Sequence, residues 1–483
     1  MINDDVACYS AYAARDARFD GVFFIGVTST GIYCRPVCTA RTPTAANCRY
    51  FGSAAAAEQA SFRPCLRCRP ELAPGRALVD GAQRVAARVA YRISEGPLDG
   101  STSVERLAAE FCMSARQLRR VVRSELGASP VELLQTRRLL MAKQLLTETS
   151  LPITDVAYAS GFSSLRRFND AFLGRYGMPP TRLRRAARTG DGPSADRPLA
   201  LWLSYRPPYD WAGTLRFMSA RAVKGVEIAD DVAYARTVRL GPHTGWLRVR
   251  HEPVRHGVKV EIALSLVPVL PVLLARVRQL FDLSARPDVI SAQLAADETL
   301  RAAVARNPGL RVPGAFDGFE LAWRAVLGQQ ISVKAATTLA GRFADAFGDD
   351  VATPIPELSR LTPAASRVAA ADVDEIASLG IVGARARSII AVADEIASGR
   401  LTLEPGADPA GTVEQLVALP GIGPWTAHYV AMRALRWPDA FPKEDMVVRQ
   451  RLGGVTARVA EAMAEGWRPW RSYATRYLWE LDN

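Results

Sequence analysis

Four cysteines in two short pairs constrain this chain more than any other feature. Cys34 and Cys38 lie in "TGIYCRPVC", and "CLRC", from Cys65 to Cys68, begins 27 residues after Cys38. Zn²⁺ takes four soft ligands in a tetrahedron, and a C-x3-C or C-x2-C pair supplies two of them from one turn of chain. Cys8, Cys48 and Cys112 have no such spacing, and none of the seven cysteines lies beyond residue 112 of the 483. An odd count in a chain without an export pattern argues against a disulfide framework and for metal or thiol chemistry. The bland reading is a structural zinc knot. The frame around the first pair, "TGIY" before and "RP" after, is more than such a knot requires.

Composition narrows the class. Hydrophobic residues make up 49% and charged residues 23%, the balance of folded protein rather than disorder. A chain of this length should hold roughly two to four domains. No stretch approaches the roughly 20 apolar residues of a membrane span. The most apolar run, Val260 to Val277, is broken by Glu261, two prolines and Arg276. The acidic start "MINDDVACYS" lacks a basic-then-apolar signal, which predicts a cytoplasmic protein with no membrane partner. The net charge of +12 points to a polyanionic partner. Its placement says more: from Ser101 to Arg188 there are 15 Arg and Lys against 7 Asp and Glu, a local excess of eight.

That basic stretch reads as two helix-turn-helix units. In "SVERLAAEFCMSARQLRRVVRSEL" a second helix opens at Ser114, a good N-cap, and shows Arg116, Arg119, Arg120 and Arg123. "ITDVAYASGFSSLRRFNDAFLGRYGMPP" repeats the plan, with Gly161 at the turn and Ser163 and Ser164 opening the next helix. "RTGDGPSADRP" then reads as a linker. Strand-like alternation follows in "TVRLGPHTGWLRVRHEPVRHGVKVEIALSL", and helical patterns return from about Leu283 to the end. Within them "LVALPGIGPWTAHYVAMRAL" is a helix, a Pro-Gly-Ile-Gly hairpin and a second helix. Gly421 and Gly423 let backbone amides approach a phosphate closely, and the next helix N-terminus favours its charge.

Three resemblances attach to these motifs. "TGIYCRPVCTAR" with "FRPCLRCRP" resembles the zinc domain of the Ada family, over about residues 8 to 75. That resemblance implies a single zinc ion held by Cys34, Cys38, Cys65 and Cys68, with Cys34 also the acceptor of a methyl group from a damaged DNA phosphate. It further implies DNA contacts from Thr30, Arg41 and Arg63. The chemistry is coherent: zinc keeps sulfur as thiolate, and four thiolates give the centre a formal charge of −2. Methylation removes one of those charges. At about 8 Å from a phosphate, and an effective dielectric near 20, the change is worth roughly 2 kcal/mol of DNA affinity. The site would be a sensor as well as a repair centre.

The basic block resembles the DNA-binding domain of AraC-type regulators, whose mark "FNDAFLGRYGMPP" keeps; Arg116, Arg119, Ser163, Arg166 and Arg167 would then touch promoter DNA. RNA polymerase is a further partner expected of such an activator. From about Leu199 onward, "YRPPYDW", "RAVLGQQIS", the hairpin with trailing Asp445, and "WRPWRSYATRYLW" resemble the AlkA-type 3-methyladenine glycosylases. This implies base flipping, with Asp445 stabilising an oxocarbenium-like sugar and Phe217, Trp425, Tyr429 and Trp479 lining an aromatic pocket for a cationic base. Gly421, Gly423 and Gln330 would meet DNA. Gln330 stands where the family has a leucine wedge. Trp425 stands where strand-cleaving relatives carry a lysine, so strand cleavage through a Schiff base is not expected. No "PCHR" methyltransferase motif is present, and the absence of later cysteines excludes an iron–sulfur cluster there.

The expected fold is therefore multidomain and mainly α with α+β parts. A zinc domain spans 1–75, a double helix-turn-helix 76–188, a linker 189–198, an antiparallel β/α domain 199–284 and an all-helical helix-hairpin-helix glycosylase core 285–483. The expected function is a regulator joined to a repair enzyme. The alternatives are a regulator whose C-terminal half only binds DNA, and a structural zinc protein carrying a strand-cleaving glycosylase.

Overall fold

A computed structural model of the protein describes residues 5–74, 85–95, 103–111, 113–187 and 198–481. The expected linker, apart from Pro198, and Cys112 lie outside the described residues. The chain divides into two compact units: Met1–Pro207 with Glu252–Ala275 and Leu283–Ala285, and Pro208–His251 with Arg276–Asp282 and Arg286–Asn483.

The first unit opens with a small four-stranded sheet. Phe24–Val27 pairs antiparallel with both Ile32–Cys34 and Cys48–Phe51, and the short strand Arg63–Pro64 runs parallel to Ile32–Cys34. The tight return between the first two strands demands the "TG" of the sequence. Gly31 sits at φ +64°, and the amides of Thr30 and Gly31 both donate to the Val27 carbonyl. A left-handed residue there costs a side chain strain that glycine escapes. Phe23, Ile25, Tyr33 and Tyr12 fill the interior.

Helices follow, and serine sets their starts. Ser114 caps Ala115–Leu126 in a reciprocal box with Gln117, Ser129 caps Pro130–Glu148 with Glu132, and Ser164 caps Leu165–Tyr176. Gly127 and Gly177, both at positive φ, end the first and third of these. The spacing of Phe168, Phe172 and Tyr176 packs all three into the core, with Phe172 and Tyr176 stacked at 4.3 Å.

The 19-residue helix Pro130–Glu148 ties the metal-binding segment to the helical block through buried charge. Lys143, 1% exposed, donates to the Cys65 carbonyl at 3.0 Å and to Glu71 at 2.5 Å. Glu71 also accepts from Arg69 at 3.0 Å, and Arg69 reaches Glu148 at 2.7 Å. Glu148 accepts from the Trp202 amide at 3.0 Å, and Gln144 donates to the Trp202 carbonyl at 2.8 Å, which holds the strand Leu199–Ser204. That strand pairs antiparallel with Gly257–Ile262. Glu58 gathers Tyr33, Thr136 and Arg175 in the same way.

The second unit begins with Trp211–Ser219 and a three-stranded antiparallel meander, Glu227–Ala229, Ala233–Leu240 and His243–Glu252. From Pro287 onward it is helical. The helix Gly318–Leu327 is buried along most of its length, with Trp323 and Val326 packed among Phe343, Ile389, Leu416 and Val430. Arg236 on the meander meets Glu320 of that helix at 2.6 Å, and Arg324 bridges Glu320 and Glu227 at 2.8 and 2.7 Å.

Removing one partner of a buried ion pair strands the other charge, typically at about 3 kcal/mol or more. Lys143→Met should therefore lower the exchange protection of the Cys65 amide, which donates to the Tyr33 carbonyl, by on the order of 3 kcal/mol in native-state hydrogen exchange. Wild-type protection in that variant would show that the network does not hold the segment.

Candidate functional site

The sulfurs of Cys34, Cys38, Cys65 and Cys68 all lie within 4.8 Å of one another. Zinc–sulfur bonds of about 2.3 Å place tetrahedral sulfurs about 3.8 Å apart, so the cluster fits a zinc ion in donor type, number and spacing. Backbone amides orient the sulfurs: the Arg35 amide donates to Cys68 Sγ at 3.3 Å and the Arg67 amide to Cys65 Sγ at 3.3 Å.

The frame around the first pair has a structural cause. The Arg35 guanidinium is buried; it pairs with Asp20 through two nitrogens and donates to the Cys68 carbonyl at 3.1 Å. Arg35 thus fastens the second cysteine pair to the first. Tyr33, on the other side, sends its hydroxyl to Glu58 at 3.0 Å. Of the expected DNA contacts, Arg63 and Thr30 are brought together, because the Arg63 amide donates to the Gly31 carbonyl at 2.8 Å. Both are exposed, as is Arg41 on the segment after Cys38.

On the helical block, Arg116, Ser163, Arg166 and Arg167 are exposed at or near helix N-termini. Arg119 is exposed but pairs with Glu105 at 3.1 Å, and Arg166 stands 4.0 Å from Asp170.

The second candidate site lies in the helical unit. The helix Pro409–Val417 leads into a turn with Gly421 at φ +75°, and Pro424–Arg433 follows with proline in its first turn. A side chain on Gly421 would meet Ser388 Oγ at 2.2 Å, whereas Gly423 faces open space. Sequence reasoning missed the residue that braces this hairpin. Gln329 donates to the Gly421 carbonyl and to Thr426 Oγ1, both at 3.0 Å, while Arg385 donates to the Gln329 carbonyl. The brace leaves Gln330 exposed at φ +56°, at the tip of the turn.

Asp445 is 8% exposed and N-caps the helix Met446–Arg451, accepting from the Val448 amide at 3.0 Å. It is more than a cap. Trp425 Nε1 donates to one carboxylate oxygen at 2.9 Å and Trp479 Nε1 to the other at 3.2 Å. No cation pairs with it among the described residues. The rings beside it stack: Trp425 on Tyr429 at 5.4 Å and 10°, with Trp479 6.2 Å from Tyr429.

Phe217 lies behind this wall. The Arg433 guanidinium stands between the two rings, 5.0 Å from Phe217 and 5.5 Å from Tyr429, and Arg221 and Arg476 flank Phe217 at 3.9 and 4.5 Å. Arg433 NH1 donates to the Tyr429 hydroxyl at 2.7 Å. Burial alone would raise the Tyr429 phenol, but Arg433, Arg221 and Arg324 hold it below the ordinary tyrosine value. Burial, with neighbouring arginines, brings the Arg221 guanidinium down to about 10. Arg433 stands four residues after Tyr429, so helical periodicity alone could have paired them.

A hairpin with two glycines, an uncompensated carboxylate and a stacked aromatic wall define a helix-hairpin-helix base-excision glycosylase, here joined to a four-cysteine metal domain and helix-turn-helix units. Family models agree: the metal binding domain of Ada matches residues 7–71, a helix-turn-helix domain 107–186, the AlkA N-terminal domain 200–317, and the HhH-GPD superfamily of base excision DNA repair proteins 323–472. The chain is 40% identical, over 99% of its length and 97% of the relative's, to a probable bifunctional transcriptional activator/DNA repair enzyme AlkA of Mycobacterium tuberculosis. It is 37% identical to DNA-3-methyladenine glycosylase 2 of Escherichia coli, over 58% of this chain and 96% of that one. A solved 3-methyladenine DNA glycosylase from Archaeoglobus fulgidus shares the fold, with TM-score 0.51 and 21% identity over 58% of this chain and 98% of that one. The chain belongs to the family of bifunctional transcriptional activator and DNA repair proteins that join an Ada-type metal domain to an AlkA-type glycosylase.

The Gln329 brace yields a test. Two neutral hydrogen bonds are worth about 1 kcal/mol each, so Gln329→Ala should weaken binding to duplex DNA by up to about thirtyfold by fluorescence anisotropy. Unchanged affinity would mean that the hairpin holds its shape without it.

Proposed function

We propose that this chain removes N-alkylated bases of the 3-methyladenine type from DNA by hydrolysis, and that it also accepts a methyl group from a DNA phosphotriester on Cys34. The observation that carries the first half is Asp445, a buried carboxylate held, among the described residues, only by neutral donors. Its charge is left for the cationic sugar that forms as the base departs. An N-alkylated purine is positively charged and leaves readily, so the residues need to bind, hold and stabilise rather than protonate. Trp425, Tyr429 and Trp479 offer stacking surface for the flipped base, with Phe217 beneath. Gly421 and Gly423 would approach the backbone, and Gln330, on its exposed turn, would fill the gap in the duplex. A chain that merely bound DNA would have no use for a carboxylate gripped by two indoles.

For the second half, one zinc ion would be held by Cys34, Cys38, Cys65 and Cys68 and would keep the sulfurs deprotonated at neutral pH. Cys34 Sγ then attacks the methyl carbon, the carbon–oxygen bond breaks, and its electron pair stays on the phosphate, now a diester anion. Thr30, Arg41 and Arg63 would hold that DNA. Loss of one negative charge at the centre favours phosphate nearby, and Arg116, Arg119, Ser163, Arg166 and Arg167 would read promoter DNA, with RNA polymerase as the further partner. The division at 1–75, 76–188, 199–284 and 285–483 separates these tasks. Among the described residues no helix is long and apolar enough to cross a membrane.

The experiment is release of free base from methylated duplex DNA. Asp445→Asn should lower 3-methyladenine release at least a hundredfold, on the scale of removing an electrostatic stabiliser, about 10²–10³ in rate. Undiminished release would sink the assignment of Asp445. Separately, incubation with methylphosphotriester DNA should add one methyl to the peptide carrying Cys34, by mass spectrometry, and raise DNA affinity on the order of tenfold. A methyl found on another cysteine would overturn the assignment.

A further inference from the structure

The proposed pocket holds a hydroxyl that the removal of cationic bases does not require. Arg433 NH1 occupies a lone pair of the Tyr429 oxygen at 2.7 Å, so the phenol accepts there and keeps its own proton. Among the described residues that proton finds no acceptor, although Tyr429 stands in the stacked wall between Trp425 and Trp479. Arg433 is itself fixed, with Nε donating to the Pro313 carbonyl at 2.9 Å and NH2 to the Gly314 carbonyl at 3.0 Å. A guanidinium so anchored cannot swing away to leave the phenol another choice.

We infer that Arg433 is a positioning residue, which turns the Tyr429 hydroxyl proton into the pocket as a hydrogen-bond donor to a ring heteroatom of the flipped base and so sets how the pocket discriminates bases by charge. The inference rests on the glycosylase reading above and adds a role for a residue that touches no base. A cationic base leaves neutral and gains little from such a donor. An uncharged base leaves with the electron pair of the broken N-glycosidic bond and is momentarily an anion, which a polarised donor stabilises. Water oxygen bonds to C1′, and the proton that water sheds ends on the departed base, so the products are an abasic sugar and a neutral base.

The charged groups facing Tyr429 agree with this direction. Arg433 stands on its own helix, Arg221 follows Trp211–Ser219, and Arg324 lies on Gly318–Leu327; all three make the phenol a better donor. Arg476, on Arg471–Trp479, adds positive charge behind Phe217, and Asp445 stands beyond the two indoles.

The test measures, on duplex DNA, release of a cationic base, 7-methylguanine, and of an uncharged one, hypoxanthine, and takes their ratio. In Arg433→Met and in Tyr429→Phe the ratio of uncharged to cationic release should fall by about a hundredfold, the scale of a positioned acid or donor. Arg433→Lys should restore part of it. With the wild type, uncharged-base release should fall as pH rises through the lowered Tyr429 value, and in Arg433→Met that fall should move to higher pH. A purely structural role would lower both releases together and leave the ratio and the pH limb in place; that result, or a wild type that releases no uncharged base, overturns the inference. Asp445→Asn separates the two claims, since it should abolish both releases, and if it leaves both intact the pocket reading itself fails.

Discussion

A charge taken out of water must be paired or it costs several kcal/mol, and this protein is organised by where it obeys that rule and where it does not. The buried Lys143 and Glu71 and the half-buried Arg69 and Glu148 neutralise one another along a single run, and Arg236, Glu320, Arg324 and Glu227 do the same in the helical unit. Asp445 is buried too and, among the described residues, has only two indoles and an amide. Neutral donors fix the direction of the carboxylate without cancelling its charge. A nearby arginine would have made a more comfortable helix cap and cancelled the charge.

The four-cysteine centre is governed by the same physics. Four thiolates crowded within 4.8 Å repel one another unless a cation lies among them. Around them the chain supplies amide donors and the Arg35 guanidinium, which reduce that repulsion and fasten one pair to the other. The buried Lys143 adds a positive charge at the Cys65 carbonyl. The metal centre is thus continuous with the helix Pro130–Glu148, and through Glu148 with the strand that carries Trp202.

Much of this was legible because some chemistry leaves local marks. Serines read as helix starts became the caps of the helices at 115 and 165, since an N-cap needs only a hydroxyl and the amide three residues on. Cysteine pairs and the Gly-Ile-Gly hairpin are equally local. Asp445 admitted two readings from sequence, a helix cap or a catalytic group, and the structure shows the cap together with indole contacts from 20 and 34 residues away. Lys143 and Gln329 carried no mark, whereas Arg433 could have been paired with Tyr429 by helical periodicity. Lys143 and Gln329 are ordinary polar residues in a helical or turn segment, and they meet partners 72 to 97 positions distant.

The sequence by itself determined the inventory: four soft ligands, two helix-turn-helix units, a hairpin that can meet a phosphate and a trailing carboxylate. These follow from residue type and short spacing, which act within a few turns of chain. Only the tertiary structure decided which charges cancel and which remain. It placed Arg433 between Tyr429 and Phe217, set Gln329 as the brace of the hairpin and surrounded Asp445 with neutral donors. Electrostatic interactions depend on distance and burial in space rather than on separation along the chain, so no local pattern could have carried them.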